Sequence, residues 1–386
     1  MMTTLIHIID YFFYVILSFS CLYLLFFSIM SLKKNRKIYN QEKPLRRYLV
    51  LFPAYGEDDV IYSSVKSFLE QDYQKDYYDV VILSDHMRQE TNNALKELQV
   101  QILEINFEHS SKAKALIHAI ETYGEKPYDT VIILDADNIV DTYFLTSVNR
   151  VYNSGYKAIQ AHRVAKNMDT DISVLDAISE EINNSIFRKG FSRLGLSATL
   201  SGSGMIFDFK LFGNHISSLS SSGEDKELEA SLLKEGVHIE YTENILVYDE
   251  KIRGSGAFYN QRRRWLAAQY GTLLSCLKDV PTAIANCNID YLNKLIQWMM
   301  LPRIILIGLV SLLTLIWTIA SPVISIKWWI LSLILLLALL LSIPRKLYDK
   351  HLFRALWRIP ILFFLMFLNF FRLKGAYKNF IHTKHK

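Results

Sequence analysis

The chain has 386 residues, enough for two ordinary domains, and its apolar residues, 51% of the total, are concentrated towards the two ends. Its three cysteines, Cys21, Cys276 and Cys287, lack disulfide or metal-ligand spacing, which excludes a zinc site and indicates a reducing compartment for the catalytic part. The net charge is only +5, and many basic residues flank apolar segments. We therefore assign these charges to membrane topology and expect no nucleic-acid partner.

The first apolar segment, Leu5 to Leu32, contains a single charged residue, Asp10, and is long enough to cross about 30 Å of hydrocarbon as a helix. A signal peptide is the alternative, but the basic n-region and the small-residue cleavage site are both missing. Basic residues are frequent between positions 33 and 47, and the positive-inside rule places them in the cytoplasm. We expect a transmembrane helix at residues 1–33, in a multi-pass protein of the cell membrane.

Short apolar runs alternate with stretches of helical spacing in the next part of the chain. Strands are predicted at Tyr48–Phe52, Val80–Leu83, Val100–Ile105 and Thr130–Leu134, and the helices between them at Val60–Glu70, Asn93–Leu98 and Lys112–Ile120. Further strands are predicted at Tyr156–Ala161, Val237–Tyr241 and Ile245–Tyr248, and Leu200–Phe207 is predicted to be a Gly/Ser turn that runs into a strand. Further helices are predicted at Ile172–Phe187, from Ser221 to Leu233 and from Asn260. This alternation predicts an α/β domain with a doubly wound, mostly parallel sheet.

The fourth predicted strand ends at two carboxylates, Asp135 and Asp137. Side chains at i and i+2 of an extended backbone point to the same side, so the two are expected to converge at the carboxyl edge of the sheet, where α/β proteins bind ligands. Oxygen ligands favour Mg²⁺ or Mn²⁺, which would take its remaining ligands from nucleotide phosphates. The alternative is an acidic turn that only ends a strand, and the Asp-x-Asp pattern alone supports both equally.

Two later segments also have a structural and a functional interpretation. Glu224 and Asp225 either bind a ligand or occupy the first turn of a helix capped by Ser222, where acids are favoured. The basic run at residues 262–264 either contacts a ligand or rests on anionic lipid, and Trp265 is either functional or simply a core or interfacial aromatic.

The composition becomes apolar again after Asp290. Residues 272–300 are expected to form amphipathic interface helices, and Leu301–Ala320 and Trp328–Ile343 two spanning helices joined by a loop that contains Pro322. Ile359–Phe371 is marginally long and has basic residues on both sides, so it either spans or lies in the interface. We expect two or three helices in the C-terminal transmembrane region, residues 301–371, and a basic tail at 372–386.

The order of the motifs resembles the membrane-bound family-2 glycosyltransferases of the GT-A fold, which include cellulose, chitin, hyaluronan and poly-N-acetylglucosamine synthases. The residues that carry the resemblance are, in chain order, Pro53-Ala54-Tyr55-x-Glu57, Asp85, Lys112-Ala113-x-Ala115-Leu116, Asp135-x-Asp137, Gly202-Ser203-Gly204, Glu224-Asp225 and Gln261-x-x-Arg264-Trp265. Each motif is weak alone, and their joint order is specific. The resemblance implies a cytoplasmic GT-A nucleotide-sugar-binding domain at residues 48–271, flanked by N- and C-terminal transmembrane helices.

The resemblance also implies a role for each motif. The nucleotide would be bound by Pro53, Tyr55, Glu57, Asp85, Lys112 and Asp135, and a Mg²⁺ or Mn²⁺ ion by Asp135 and Asp137. The general base would be Asp225, with Glu224 beside it as the second catalytic residue. The diphosphate and the acceptor would contact Ser203, Gly204, Gln261, Arg264 and Trp265. Two departures exist: Ser84-Asp85-His86 replaces a pattern with a second acid, which puts the nucleotide preference in doubt, and Lys114 replaces a usual glycine.

Sugar transfer from a nucleoside diphosphate requires these residue types whether or not the resemblance holds. A nucleoside-diphosphate leaving group develops negative charge that a divalent ion and an arginine neutralise, and inversion needs one base on the acceptor side. An aspartate at a helix start tends to have a depressed pKa. To accept and hold a proton as a general base, Asp225 therefore needs partial burial or Glu224 beside it to raise its pKa.

We therefore expect an inverting hexosyl- or N-acetylhexosaminyltransferase that moves a sugar from a UDP-sugar to a growing polysaccharide. The alternative is a transferase that adds one sugar to a polyprenyl-phosphate- or lipid-linked acceptor. A catalytically dead membrane scaffold and an Asp-x-Asp phosphatase fit the sequence less well. The expected partners are the nucleotide sugar, a glycan or lipid-linked acceptor, membrane lipids and either a partner subunit or further copies of the chain.

Overall fold

The structure is a computed structural model that describes residues 2–34, 37–39, 43–217, 219 and 223–370. The basic tail predicted at residues 372–386 lies outside the described residues, as do Phe371, the last residue of the predicted segment 359–371, and Ser222, the predicted helix cap.

Strands from the whole α/β domain form one mixed sheet. Their bounds in chain order are β1 (Tyr48–Tyr55), β2 (Tyr78–Asp85), β3 (Gln101–Ile105), β4 (Thr130–Ile133), β5 (Ile139–Val140), β6 (Ala158–Ala165), β7 (Met205–Asp208) and β8 (Ile239–Asp249). The order across the sheet is β3-β2-β1-β4-β7-β6-β8-β5, with β1 to β4 parallel and β7 antiparallel to both of its neighbours. The predicted α/β class with a mostly parallel sheet is confirmed.

Fifteen α-helices are present in the described part of the chain. Their bounds are α1 (Met2–Ser31), α2 (Ile61–Phe68), α3 (Gln89–Glu97), α4 (Lys112–Tyr123), α5 (Phe144–Asn153), α6 (Asp171–Asn183), α7 (Phe209–Ile216), α8 (Glu224–Lys234), α9 (Ser255–Cys276), α10 (Val280–Ala285), α11 (Ile289–Met299), α12 (Arg303–Ala320), α13 (Pro322–Ser342), α14 (Lys350–Leu356) and α15 (Ile359–Phe370). A π-helix, Asn184–Gly190, continues α6.

The unbroken apolar run of β1 is explained by burial on both faces of the sheet. Leu49 and Leu51 belong to a core shared with α4 and α8, whereas Val50 and Phe52 belong to a core shared with α2 and α5. Alternate residues of a strand point to opposite faces, so a central parallel strand needs apolar side chains at every position. The two cores fix the carboxyl end of β1 beside those of β2 and β4.

Two predicted boundaries are wrong. The strands expected at Val237–Tyr241 and Ile245–Tyr248 are one strand, β8, because its pairing with β6 continues through a register irregularity at Ala161/His162. Pro322 does not lie in a loop between two membrane helices. It occupies the first turn of α13, where its missing N–H has no helical partner to lose.

Among the residues that the structure describes, three helices, α1, α12 and α13, are long and apolar enough to cross a membrane. The count rises to four if α14 and α15, which meet at a bend of 51°, together form one broken span. The isolated charge in α1 is compensated within the bundle, because Asp10 pairs with Lys327 and accepts a hydrogen bond of 2.9 Å from Trp328 Nε1. The membrane helices therefore pack as one unit with the first helix.

The N-terminal helix contacts the α/β domain closely at Gly190. A Cβ atom at this position would lie 2.5 Å from the carbonyl oxygen of Phe27 on α1, so a larger residue would push α1 away. We expect Gly190→Ala to destabilise the protein by about 1–3 kcal/mol, a typical cost of overpacking, and to lower the Tm of the detergent-solubilised chain by several degrees.

Gly254→Ala is the matched control, because a Cβ atom there meets no heavy atom within 4 Å and the residue has a φ of −118°. Equal Tm values for the two variants would contradict the close approach of α1 to the domain.

Candidate active site

A cavity of about 660 Å³ lies at the carboxyl ends of β1, β2 and β4 and continues towards the membrane helices. Most of the side chains predicted from the separate motifs line it, namely Pro53, Tyr55, Glu57, Asp85, Lys112, Asp135, Asp137, Glu224, Asp225, Gln261, Arg264 and Trp265. Residues up to 212 positions apart in sequence, Pro53 and Trp265, thus share one site. Ser203 and Gly204 lie behind its wall.

Tyr55 and Asp85 are neighbours in the pairing of β1 with β2, which brings them to the same edge of the sheet. Asp85 is buried, and its Oδ1 lies 2.5 Å from Nδ1 of His86. The His86 ring is 5.1 Å from the Tyr55 ring, and the backbone φ of His86 is 54°. Without ligand spacing in the sequence, His86 is interpreted there as a structural residue, and the structure places it beside two predicted nucleotide-binding residues.

Asp135 and Asp137 lie on a turn and not on an extended strand, so the geometric basis predicted for their convergence is wrong. The strand β4 ends at Ile133, and the Asn138 amide donates to the Asp135 carbonyl at 3.0 Å. The Asn138 side chain explains this ending, because its Oδ1 accepts at 3.0 Å from the Asp135 amide that a continuing strand would have paired. Both carboxylates nevertheless line the cavity.

The two aspartates differ in how tightly they are held. Asp137 is buried, with Oδ2 accepting at 2.8 Å from the Glu250 amide and Oδ1 at 3.1 Å from Asn138 Nδ2. The Asp135 side chain is 36% exposed. Asp137 is therefore a fixed carboxylate at the base of the cavity, and Asp135 a more open one at its side.

Ser203 and Gly204 support this turn from behind. The Ser203 hydroxyl donates to Oδ1 of Asn138, and the Gly204 amide donates to the Ile133 carbonyl at 2.9 Å. Gly204 has a φ of +63°, and a Cβ atom there would lie 3.0 Å from Cγ2 of Val247, so both backbone angle and space favour glycine. The structure places these two residues where they hold the Asp-x-Asp turn in position.

Lys112 is the cation at the centre of the acidic groups. Its Nζ lies 2.5 Å from Oδ1 of Asp135, 2.6 Å from the Gly202 carbonyl oxygen and 4.0 Å from Oε1 of Glu224. Burial disfavours the charged amine, but Asp135 and Glu224 outweigh burial and raise the pKa of Lys112. The lysine is therefore charged at neutral pH and links the turn after β4 to the start of α8.

Glu224 and Asp225 occupy the first turn of α8, next to Gly202. A Cβ atom at Gly202 would lie 3.9 Å from Oδ2 of Asp225, so the glycine leaves space in front of this carboxylate. Burial raises the pKa of Glu224 to about 7, opposed by Lys112 and reinforced by Asp225. The pair thus offers one carboxyl group that titrates near neutrality beside a second carboxylate.

The first half of α9 forms another part of the cavity wall, to which Phe258, Arg262 and Trp265 contribute. Arg262 pairs with Asp176, and its guanidinium lies 4.3 Å from the ring centre of Trp265 and 4.9 Å from that of Phe258. Arg262 is therefore not part of a basic surface resting on lipid, which was one interpretation of residues 262–264. Its contacts hold the Trp265 ring against the cavity.

Largely buried charged residues that no motif identified also contribute to the cavity, and Arg163, Glu180, Arg188 and Asp249 line it. Arg163 on β6 pairs with Asp249 at 2.6 Å, Lys251 pairs with Asp249 at 2.8 Å, and Arg188 pairs with Glu180 at 2.7 Å. Burial disfavours ionisation of Asp249, but Arg163 and Lys251 hold its pKa well below the usual range. The one sequence signal was an arginine at the end of the apolar run of β6.

The donor set is suited to a hard cation that arrives with its own ligands. In the described ranges, no three His, Cys, Asp or Glu side chains come together in a way that could hold a metal ion. Asp135 and Asp137 supply only part of a coordination shell, and all their donor atoms are oxygens. Mg²⁺ and Mn²⁺ are commonly held by one or two carboxylates with phosphate oxygens and water, so the residues fit such an ion.

Comparison with known proteins identifies the family and the fold of the chain. The chain matches the family model described as glycosyltransferase like family 2 over residues 46–268. Among solved structures it is similar to a mannosyltransferase from Pyrobaculum calidifontis in complex with GDP-Man and Mn²⁺, with 16% identity over 87% of this chain and 97% of the other, and a TM-score of 0.53. Glucosyl-3-phosphoglycerate synthase from Mycobacterium tuberculosis, solved with Mn²⁺, UDP and phosphoglyceric acid, aligns with 15% identity over 62% and 84% of the chains and a TM-score of 0.43.

No curated protein matches the sequence. The fold and the family match define the protein as a glycosyltransferase of the GT-A fold. It belongs to the glycosyltransferase like family 2, and its family domain is accompanied by apolar helices at the N-terminus and in the C-terminal region.

Proposed function

We propose that the protein is an inverting membrane glycosyltransferase that moves a sugar from a nucleoside-diphosphate sugar to an acceptor hydroxyl on the cytoplasmic side of a cell membrane. The observation that carries the proposal is that Asp135, Asp137, Lys112 and the Glu224–Asp225 pair all line one cavity at the carboxyl edge of the sheet. A site with acids, a fixed cation and a candidate base together has the groups that this transfer requires.

The donor occupies the part of the cavity nearest β1 and β2. Pro53, Tyr55, Glu57 and Asp85 contact the base and ribose, with a UDP-sugar as the first expectation. A divalent cation held by Asp135 and Asp137 would neutralise charge on the leaving diphosphate. The Pyrobaculum mannosyltransferase was solved with GDP-Man and Mn²⁺, which supports the use of a divalent cation, either Mg²⁺ or Mn²⁺, together with the nucleotide sugar.

Asp225 acts as the general base in the transfer. Its carboxylate takes the proton from the acceptor hydroxyl while the oxygen forms a bond to the anomeric carbon. The bond from that carbon to the diphosphate breaks on the opposite face, and its electron pair leaves with the nucleoside diphosphate. Lys112 and Arg264 stabilise the departing charge. Glu224, with a pKa raised to about 7 by burial, is partly protonated at neutral pH, which limits repulsion between the two acids.

The orientation of the protein follows from its charges. Basic residues are frequent between α1 and β1, and the positive-inside rule assigns this segment to the cytoplasm, where nucleotide sugars are available. With α1, α12 and α13 as spans, this orientation puts the part of the cavity at the sheet edge in the cytoplasm and the part lined by the membrane helices next to the bilayer.

The acceptor is either a growing polysaccharide, as first expected, or a lipid-linked glycan. The apolar wall of the cavity favours the second candidate, because α13, α14 and α15 contribute mostly leucine and isoleucine side chains to it. Three or four spans also give little material for a polysaccharide channel in a single copy of the chain.

Product size separates the two acceptors. Membranes containing the protein are supplied with radiolabelled UDP- and GDP-sugars and Mn²⁺, and the labelled product is separated by solvent extraction and gel filtration. We expect one added sugar in the lipid fraction. A long, water-soluble labelled polymer would support the polysaccharide candidate and overturn the lipid-linked one, and the absence of transfer from every donor would contradict the proposed function.

A further inference from the structure

Near the start of α12, two arginines that line the cavity each have one buried guanidinium nitrogen without a hydrogen-bond acceptor. Arg303 donates from Nη2 to the carbonyl oxygen and hydroxyl of Ser179 at 2.8 and 2.9 Å, and its Nη1 is buried without a hydrogen-bond partner. The Nε of Arg262 is buried and unpartnered as well. Both residues line the cavity. Burying a donor without an acceptor is unfavourable, so two such donors in one cavity wall point to a ligand that supplies hydrogen-bond acceptors.

The charges around Arg303 do not supply that acceptor. Arg262 and Arg188 repel it and Glu180 attracts it, but Glu180 already pairs with Arg188, as Asp176 does with Arg262. Over the ranges that the structure describes, no carboxylate lies within 4.0 Å of the Arg303 guanidinium. This part of the cavity therefore carries an uncompensated positive charge, which favours an anionic ligand.

Beyond Arg303 the cavity opens towards lipid. Leu336 and Leu340 of α13 and Phe353 and Leu356 of α14 line it, and these four side chains are also between 41% and 62% exposed. A residue that borders the cavity and faces outwards from apolar helices marks a lateral opening to the bilayer. The same cavity is thus lined by the acidic residues of the candidate active site, by Arg303 and by apolar side chains that are also exposed on the membrane helices.

We propose that Arg303, assisted by Arg262, binds the phosphate of a lipid-linked acceptor, whose hydrocarbon chain leaves between α13 and α14 and whose sugar extends towards Asp225. This inference rests on the proposed function and specifies its acceptor. Arginine is suited to the role because its planar group donates several hydrogen bonds to phosphate and stays charged when desolvated.

The bound phosphate takes no part in the bond changes. The acceptor hydroxyl loses its proton to Asp225 and gains the bond to the anomeric carbon, while the ester bonds between sugar, phosphate and lipid stay intact. Arg303 is therefore a binding and positioning residue. Its loss acts on acceptor affinity, and the affinity for the nucleotide sugar is unchanged.

Lipid binding to the full-length, detergent-solubilised chain tests this assignment. Dissociation constants are measured for radiolabelled polyprenyl phosphate and for the matching polyprenol, which lacks the phosphate. Hydrogen bonds to charged groups are worth about 1.5–3 kcal/mol, so we expect Arg303→Gln to weaken polyprenyl phosphate binding about tenfold or more and to leave polyprenol binding unchanged. Arg303→Lys, which keeps the charge without the fork of donors, is expected to fall between the two.

The matched control is Arg354→Gln, which removes an arginine that lies on α14 outside the cavity and pairs with Asp171. It is expected to keep polyprenyl phosphate binding within twofold. The proposal is overturned if Arg303→Gln binds the phosphate lipid as tightly as the wild type, if polyprenol binds equally well, or if phosphatidylglycerol displaces polyprenyl phosphate at equal concentration, which would mark a site for bulk membrane lipid.

Calorimetry with nucleotide sugars and Mn²⁺ on the same preparations distinguishes a failure of the acceptor assignment from a failure of the proposed function. Unchanged nucleotide-sugar binding by Arg303→Gln verifies that this variant is folded. If Arg303→Gln does not fold, the lipid-binding comparison is made with Arg303→Lys instead. If the wild type binds a nucleotide sugar and the lipid results are negative, only the acceptor assignment is wrong. If the wild type binds no nucleotide sugar, the proposed function itself is wrong.

Discussion

Asp137→Asn is expected to lower the rate of sugar transfer by about 10³-fold or more at saturating donor and Mn²⁺. Asp137 is the fixed member of the acid pair, and the substitution removes its charge from the base of the cavity. The stabilisation of a leaving diphosphate by a divalent ion is worth several kcal/mol, and each 1.4 kcal/mol corresponds to a factor of ten. Radiolabel transfer by purified protein in lipid nanodiscs measures the effect.

Asparagine is preferred to alanine here because it keeps a side-chain oxygen for the Glu250 amide, which donates to Asp137 at 2.8 Å. The matched control is Asp141→Asn, a change of the same type at an exposed residue near the same turn that does not line the cavity. Transfer by Asp141→Asn should stay within twofold of the wild type. Full activity of Asp137→Asn with an unchanged Tm would remove Asp137 from the metal site.

Asp225→Asn is expected to lower kcat by about 10²- to 10⁴-fold, the usual range for a general base, and to leave the affinity for the nucleotide sugar within a few fold. The variant keeps the size of the side chain beside Gly202 and Lys112. Pre-steady-state and steady-state transfer assays, with donor affinity measured separately, distinguish a loss of chemistry from a loss of binding.

Glu227→Gln is the control for this helix end, because it removes a first-turn carboxylate of α8 that does not line the cavity. The turnover of Asp225→Asn also tests which group of the acceptor is the nucleophile. A lipid phosphate that attacked the sugar directly would need no base, so near-wild-type turnover by Asp225→Asn would contradict a hydroxyl nucleophile.

The strands of the sheet could be predicted from the sequence because the local preference of these segments for extended structure agrees with their burial in the fold. β1 is apolar at every position, and only a strand covered on both faces can bury such a run. Asp85 ends β2, Lys112 begins α4 and Asp135 lies just after β4, so the edge of the sheet at which they meet was predictable.

The details of the site depend on contacts that sequence spacing does not encode. The Asp-x-Asp turn is shaped by Asn138 and Ser203, which are 65 residues apart and meet only when β7 pairs with β4. Arg303 offered no signal either, since one arginine at the start of an apolar helix is typical of any membrane boundary. Its significance comes from the unpartnered donor and from the neighbouring guanidinium groups, which only the three-dimensional arrangement reveals.

The account depends most on a divalent ion shared between Asp135, Asp137 and the diphosphate of a nucleotide sugar. Isothermal titration calorimetry of the purified full-length chain with UDP- and GDP-sugars, with Mn²⁺ and after its removal by EDTA, tests this claim most directly. We expect one donor to bind with Mn²⁺, to bind at least tenfold more weakly without it, and to lose this dependence in Asp137→Asn. Equal binding with and without the cation, or no binding of any donor in either state, would contradict the account.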